Sequence, residues 1–181
     1  MPRNWDQHYS DGANVDFTPS PLLVEVADLL PPGRALDLAC GPGRNALFLA
    51  SLGWQVTAVD RSPVAIRLLR ERTDGLSIDA RLADLESGEF AIEPAAFDLV
   101  CDFHYLQRDL FPALREAVRP GGVFTGSIHL RDKHRESRYA VNPGELREQF
   151  QGWKILFYSE AREGPAGSGR RSAARIIARR A

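Results

Sequence analysis

The stretch ALDLACGPGRNALFLA, residues 35–50, constrains the fold of this chain more than any other. An apolar run suited to a buried strand stops at Gly41 and Gly43, and apolar residues at helical spacing follow. A strand that passes through a glycine turn into a helix is the first part of a βαβ unit, whose two strands are parallel. The stretch therefore predicts a parallel sheet covered by helices.

The rest of the chain repeats this alternation. Apolar runs predict five strands, at 35–40, 55–59, 77–83, 97–103 and 123–130. Helical spacing predicts four helices, at about 21–30, 45–52, 63–72 and 110–119. Two further runs, 153–161 and 171–180, flank REGPAGSG and predict a β-hairpin. We therefore expect a doubly wound α/β fold with a mostly parallel, seven-stranded, Rossmann-like sheet that ends in an antiparallel hairpin.

Length and charge narrow the classes of function. The chain has 181 residues, 44% of them apolar, and a formal net charge of -1. This length fits a single domain over 1–181. A nearly neutral chain has no overall field that attracts nucleic acid or an anionic membrane. We therefore expect a small-molecule partner, and the oligomeric state stays open.

Neither targeting nor metal-binding patterns are present in the sequence. The N-terminal residues lack the apolar stretch of a secretory signal, and no run of about 18 apolar residues occurs. The two cysteines, Cys40 and Cys101, have neither C-x-x-C spacing nor a histidine at ligand spacing. We predict a cytoplasmic protein with reduced, buried thiols and without a disulfide, a membrane segment or a metal site.

The glycine turn matches a cofactor fingerprint but leaves the cofactor open. Gly41, Gly43 and Ala46 fit G-x-G-x-x-G/A, which is typical of NAD-binding proteins and also compatible with other adenosine cofactors. Pro42 removes a backbone N–H from the turn that a pyrophosphate would use, which argues against NAD. Asp37, inside the strand, is costly to bury unless loop N–H groups or a cationic ligand group pair with it.

Two further acids follow later strands. Asp60 ends the second strand, where a carboxylate can accept both ribose hydroxyls of either cofactor. Asp84 follows the third strand and suits an adenine amino group, with Leu85 against the ring. The alternative for Asp84 is a simple turn cap. One acid inside the first strand and one at the end of each of the next two strands favour a nucleoside with a cationic tail.

The motifs DLACGPGRN, VDRS, ADL, FDLV and RPGGVF, in that order, resemble the class I S-adenosylmethionine-dependent methyltransferases over most of the chain. The family's first motif is usually D-x-G-x-G-x-G, so Ala39 stands where glycine is usual. The resemblance implies that Asp37 orients the methionine ammonium, Asp60 binds ribose and Asp84 binds adenine. The cofactor-binding residues that it implies are Asp37, Ala39, Gly41, Gly43, Asn45, Asp60, Arg61, Asp84, Leu85 and Phe103.

Within this class, GRNALFLASLGWQVTAVDRSPVAI and NPGELREQF resemble the small tellurite-resistance and thiopurine methyltransferases. That likeness implies a small acceptor that is soft or anionic, such as a thiol or a chalcogen oxyanion. It also implies that residues 1–19, with Trp5, His8 and Tyr9, form a lid over the cofactor. The alternative is an N-terminal tail that its aromatic rings anchor by packing.

Candidate acceptor residues follow the fourth and fifth strands. The segment CDFHYLQRD lacks the N-P-P-Y type of sequence found in amide-nitrogen methyltransferases. His104, Tyr105 and Arg108 suit an anionic acceptor or a proton relay, although His104 also fits a simple loop residue. Two basic groups are interpreted as solvated surface, although the first also lies at the ligand edge of the sheet and the second could suggest nucleic-acid binding. They are His129, Arg131 and His134 after the fifth strand, and Arg170, Arg171, Arg175, Arg179 and Arg180 near the C-terminus.

The leading hypothesis is therefore an S-adenosylmethionine-dependent enzyme that methylates a small molecule. A non-catalytic module that binds this cofactor is the first alternative. An NAD-dependent oxidoreductase is the second, and Pro42 and Asp84 argue against it.

Overall fold

The computed structural model describes residues 4–10, 15–131, 138–162 and 172–181. The strands are β1 (Arg34–Leu38), β2 (Gln55–Asp60), β3 (Ile78–Leu82), β4 (Phe97–Phe103), β5 (Val118–His129), β6 (Lys154–Arg162) and β7 (Ser172–Arg179). The helices are α1 (Trp5–Ser10), α2 (Pro21–Ala27), α3 (Arg44–Ser51), α4 (Pro63–Arg70), α5 (Phe111–Ala117) and α6 (Glu145–Glu148).

The strands form one sheet in the order β3-β2-β1-β4-β5-β7-β6. The pairs β1/β2, β2/β3 and β4/β5 are parallel, whereas β7 runs antiparallel to both β5 and β6. This confirms the predicted α/β fold, in which a mostly parallel sheet of seven strands ends in an antiparallel hairpin. The hairpin connection REGPAGSG, 162–169, lies outside the described residues except for its first residue, which ends β6.

Contacts divide the chain into two compact units, Met1–Ala91 and Ile92–Ala181. In the first, the buried side chains of Leu36, Leu49 and Leu69 belong to the core of β1, α3 and α4. Helix α4 begins as predicted, since the Ser62 hydroxyl accepts the Ala65 N–H at 3.1 Å. Strand β1 ends at Leu38, two residues before its predicted end, because the next residue has a left-handed φ of 47°.

In the second unit, an aromatic cluster of Phe111, Phe124 and Phe150 joins α5 and β5 to the segment after α6. The prediction placed the end of α5 at 119 and the start of β5 at 123, and both are wrong. Strand β5 already pairs Val118 with Phe97, and its next pair in register is Val123 with Leu99. The residues RPGG, 119–122, therefore form an irregularity inside β5 and not a connection between the predicted helix and strand.

No helix among the described residues is long and apolar enough to cross a membrane. The prediction of a single domain over 1–181 stays a prediction.

Candidate cofactor and acceptor sites

The loop between β1 and α3 is fixed by the carboxylate at the end of β2. Asp60 is 8% exposed, and its two oxygens accept the N–H groups of Gly41 and Ser62, both at 2.8 Å. Burial raises the pKa of Asp60, while these two hydrogen bonds lower it. A carboxylate has about four acceptor positions, so Asp60 can hold the loop and still accept hydrogen bonds from a ligand.

Both glycines of this loop are required by the surrounding structure. Gly43 has φ 92°, and a Cβ there would lie 2.3 Å from Cδ1 of Leu69. Gly41 has φ 56°, and a Cβ there would lie 2.8 Å from the hydroxyl oxygen of Tyr9. Because L side chains rarely adopt such φ values, the glycines permit both the turn and the close approach of α4 and α1.

Asp37 is the most unusual group in the first unit. It is 1% exposed, and it accepts a hydrogen bond from the backbone of Ala46 while its Oδ2 has no partner among the described residues. Burial raises the pKa of Asp37 to about 7, although the charge of Arg44 opposes this shift. A buried oxygen without a donor has the chemistry that accepts a cationic ligand group.

A cavity of about 580 Å³ lies at the ends of β2 and β3. Arg61 and Asp84, two of the predicted cofactor residues, both line it, and their side chains are 3.9 Å apart. Asp84 also accepts the Glu86 N–H at 2.9 Å, so the turn-cap interpretation describes one of its oxygens. The volume is that of an ordinary small-molecule site.

Helix α1 packs onto this side of the first unit. Trp5 and Asp6 line the cavity, and the Ser62 hydroxyl donates a hydrogen bond to the Asp6 carboxylate. The rings of Trp5 and Tyr9 stack with centroids 5.9 Å apart. Sequence reasoning did not single out Asp6, because its partner Ser62 is 56 positions away and had already been assigned as a helix cap.

The remaining predicted cofactor residues are buried at element ends. Asn45 is 4% exposed, and its side-chain oxygen accepts the Ser20 N–H at 2.9 Å, which fixes the residue before α2. Leu85, in a short 3-10 turn, and Phe103, at the end of β4 in the second unit, are each 7% exposed. Contact of these residues with a cofactor stays a prediction.

In the second unit, Arg108 has a structural environment that the sequence did not predict. Its guanidinium donates to both carboxylate oxygens of Glu145, at 2.6 and 3.1 Å. It also donates to the carbonyl oxygens of Arg138 and Ala140. Four of its donor contacts are therefore made within the chain, and our proposal for the acceptor does not use Arg108. The Tyr105 hydroxyl donates to the side-chain oxygen of Gln107 at 2.7 Å.

His104 and His129 lie together, which corrects the interpretation of His129 as part of a solvated loop. Their rings stack with centroids 5.1 Å apart at an interplanar angle of 28°. His104 has φ 66° and donates its backbone N–H to the Ser127 carbonyl at 2.7 Å. Arg131, next along the chain, is exposed, and His134 lies outside the described residues. Parallel pairing of β4 with β5 brings the two imidazoles to the same strand ends.

The three C-terminal arginines that the structure describes are also not part of a fully solvated face. Arg180 donates to the carbonyl oxygens of Arg115, Glu116 and Val118. Arg175 and Arg179 are half-buried, with their Nε atoms shielded from water. Arg170 and Arg171 lie outside the described residues. The sequence predicted a strand here but not its neighbours: β7, which holds Arg175 and Arg179, is flanked by a strand on each side.

Within the described residues, no group of histidine, cysteine, aspartate and glutamate side chains is arranged to hold a metal ion. Cys40 and Cys101 are both buried, and neither forms a disulfide.

Comparison with known proteins finds similar methyltransferases. Residues 35–122 match the model of a methyltransferase domain. The "probable S-adenosyl-L-methionine-dependent methyltransferase TehB" of Haemophilus influenzae is 27% identical over 148 residues, which cover 76% of this chain and 52% of TehB. The chain thus spans about half the length of the curated relatives that it matches first.

Solved structures show the same fold. The crystal structure of TehB from Haemophilus influenzae superposes with a TM-score of 0.79 at 23% identity, covering 98% of this chain and 67% of TehB. The Burkholderia thailandensis 1,6-didemethyltoxoflavin-N1-methyltransferase, solved with S-adenosylhomocysteine bound, gives 0.65 at 22% identity over 96% of this chain and 84% of its own. Together with the order of its motifs, these matches show that the chain is similar in sequence and in fold to S-adenosylmethionine-dependent methyltransferases.

Proposed function

We propose that this protein transfers a methyl group from S-adenosylmethionine to a small acceptor with a soft or anionic nucleophile. The observation that carries the cofactor assignment is the unpartnered, buried Oδ2 of Asp37 beside a loop that excludes side chains at Gly41 and Gly43. An ammonium group would give this oxygen the donor that it lacks. NAD has no ammonium group to offer.

The residues at the cavity fit the nucleoside part of the same cofactor. Asp60 retains acceptor positions for ribose hydroxyls, and the Asp84 carboxylate suits an adenine amino group. Arg61 and Trp5 provide flat surfaces along the cavity wall. Helix α1, which bonds to the β2–α4 loop through Asp6, acts in this proposal as the lid that excludes water.

The work of the protein in this reaction is alignment. When bound, the cofactor supplies an electrophilic methyl group on a sulfonium centre. Asp37 orients the methionine end, Asp60 fixes the ribose, and the rigid glycine turn holds the backbone between them. A thiolate or an oxyanion already carries the attacking lone pair, so this class of acceptor needs no strong general base.

The acceptor class is proposed from two sources. The first is the resemblance of GRNALFLASLGWQVTAVDRSPVAI and NPGELREQF to the tellurite-resistance and thiopurine methyltransferases. The second is the stacked pair of His104, directly after β4, and His129, at the end of β5. Neutral or protonated imidazoles donate hydrogen bonds to an anion. A thiol or a chalcogen oxyanion fits both sources.

Calorimetric titration with S-adenosylmethionine, S-adenosylhomocysteine and NAD tests the cofactor assignment. We expect the two sulfur nucleosides to bind and NAD to give no heat of binding. Heat from NAD alone would overturn the proposal in favour of an oxidoreductase.

Transfer of a radiolabelled methyl group to a panel of thiols, chalcogen oxyanions and small amines tests the acceptor. We expect label in the first two groups. If the cofactor binds and no compound in the panel is labelled, the alternative of a non-catalytic binding module is favoured. Label confined to amines would refute the proposed acceptor class.

A further inference from the structure

A row of polar side chains crosses one face of β5, β7 and β6. Ser127 on β5 pairs with Arg175 on β7, which pairs on its other side with Ser159 on β6. Directly opposed residues of antiparallel strands project from the same face of the sheet. Thr125 and His129, each two positions from Ser127, share this face because side chains alternate along a strand.

This row is not a solvated surface. Ser127 is 4% exposed and Thr125 is fully buried. Three polar atoms of the row are shielded from water without a hydrogen-bond partner among the described residues: Thr125 Oγ1, Ser159 Oγ and Arg175 Nε. Buried donors and acceptors in folded proteins are nearly always paired. Three unpaired groups on one face of adjacent strands therefore indicate that something polar completes them.

The stacked histidines lie at one end of the row. His129 pairs with Ala173, so it is diagonal to Arg175 on the neighbouring strand, a separation that long side chains span. The ring of His129 stacks on His104, whose backbone N–H bonds to the carbonyl of Ser127. The row thus brings together a guanidinium, two imidazoles and the hydroxyls of serine and threonine.

The nearby carboxylates project from the opposite face. Glu160 pairs with Ala174, and Asp102 pairs with Gly126, so both alternate away from Arg175. Among the described residues of these strands, the row contains no acidic side chain that would neutralise the guanidinium. A guanidinium without an acidic neighbour on its face suits a ligand of the opposite charge.

We propose that Arg175, with Ser127, Ser159 and His129, binds an anionic group of the methyl acceptor, either a carboxylate or an inorganic oxyanion. Arg175 is then the residue that selects anionic over neutral acceptors, because Nε and a terminal nitrogen together hold two oxygens of one anion. The inference rests on the proposed function, since it assigns the place where that acceptor is bound.

Nuclear magnetic resonance of the histidine rings tests the site without requiring turnover. The probes are 3-mercaptopropionate, the equally long neutral 3-mercaptopropanol, and selenate. We expect one or both anions to shift the His129 and His104 signals, and the neutral thiol to leave them unchanged. The anion that acts identifies the source, a carboxylate or an oxyanion. Equal shifts from the neutral thiol, or no shift from either anion, would overturn the proposal.

Two substitutions and a control attribute the effect to one side chain. We expect Arg175→Gln to weaken anion binding about tenfold or more, because it removes a charge-assisted pair. Arg175→Lys keeps the charge but not the paired donors, and we expect an intermediate loss. Arg67→Gln removes an exposed arginine of α4 and is expected to leave anion binding unchanged. Equal binding by wild type and Arg175→Gln would refute the role of Arg175.

Cofactor titration separates this inference from the proposed function. If S-adenosylmethionine binds wild type and Arg175→Gln equally but anions show no dependence on Arg175, only the acceptor site is wrong. If wild type does not bind S-adenosylmethionine, the proposed function fails whatever the anions do.

Discussion

Replacing Asp37 by Asn is expected to stabilise the protein without cofactor and to weaken cofactor binding. Burial raises the pKa of Asp37 from 3.8 to about 7. The pKa of Asp37 is higher in the folded state than in the unfolded state. Its contribution to the free energy of unfolding is therefore most favourable below pH 4 and is lost as pH rises to 7. About three pKa units at ~1.4 kcal/mol each give a loss of about 4 kcal/mol in the free energy of unfolding above pH 7.

Asn at this position keeps an oxygen for the Ala46 N–H but carries no charge. Its amide N–H groups have no partner either, which offsets part of the gain, so we expect Asp37→Asn to add about 1 to 3 kcal/mol at pH 8. At pH 5, where Asp37 is protonated in the folded state, the difference should shrink. Affinity for S-adenosylmethionine should fall tenfold or more, since the ammonium loses a charged partner.

Urea unfolding of wild type and Asp37→Asn at pH 5 and pH 8 measures the effect, with calorimetry for the cofactor. Asp74→Asn, in an exposed turn, serves as the matched control and should change neither quantity. The reasoning is refuted if Asp37→Asn is no more stable than wild type at pH 8. It is equally refuted if the difference between the two proteins is the same at both pH values.

Three further predictions concern the loop between β1 and α3. Asp60→Ala should weaken S-adenosylmethionine binding by about 1 to 3 kcal/mol in calorimetry; unchanged affinity would mean that the ribose assignment is wrong. Ala39→Gly should raise the free energy of unfolding in urea by about 0.5 to 1 kcal/mol, because a φ of 47° costs an L residue more than glycine loses in chain entropy. A lower free energy of unfolding would contradict this. Gly43→Ala should lower the free energy of unfolding by about 2 to 4 kcal/mol, because the added Cβ meets Leu69. Adding Leu69→Ala should recover part of that loss. No recovery in the double variant would exclude the steric cause.

The sequence predicted the positions of the strands along the chain and the terminal antiparallel hairpin, because the strands are mainly runs of apolar residues bounded by turn signals. It failed at Val118, which was placed in a helix. Its pairing with Phe97 is a contact across 21 positions, and no local pattern reports it. The same limit explains Asp6 and Ser62, which meet through tertiary packing alone.

Predictions about individual site residues depended on what else surrounded each side chain. Asp60 was predicted as a ligand for ribose, and the structure adds that it also holds Gly41 and Ser62. Arg108 and Arg180 were interpreted from their charge, but backbone carbonyl oxygens accept much of their donor capacity. Charge can be read from a sequence, whereas the partner that a long cationic side chain reaches is decided by the fold.

The positions where this chain departs from local conformational rules are concentrated where its strands end. Among the described residues, the non-glycine residues with positive φ are Ala39, Ala95 and His104. Ala39 follows β1 directly and His104 follows β4 directly. Such a conformation costs an L residue roughly 1 to 2 kcal/mol, and the charge on Asp37, two positions before Ala39, adds a desolvation cost. Glycine at Ala39 and His104 and an uncharged side chain at Asp37 would remove these three costs. Because a strained backbone and an unpaired acid occur together at the end of β1, the free energy that they hold is available to a ligand that relieves it. Asp37→Asn and Ala39→Gly are both predicted to stabilise the protein, but only Asp37→Asn is predicted to weaken cofactor binding. Comparing the two variants therefore distinguishes a cost that cofactor binding relieves from backbone strain that has no effect on binding.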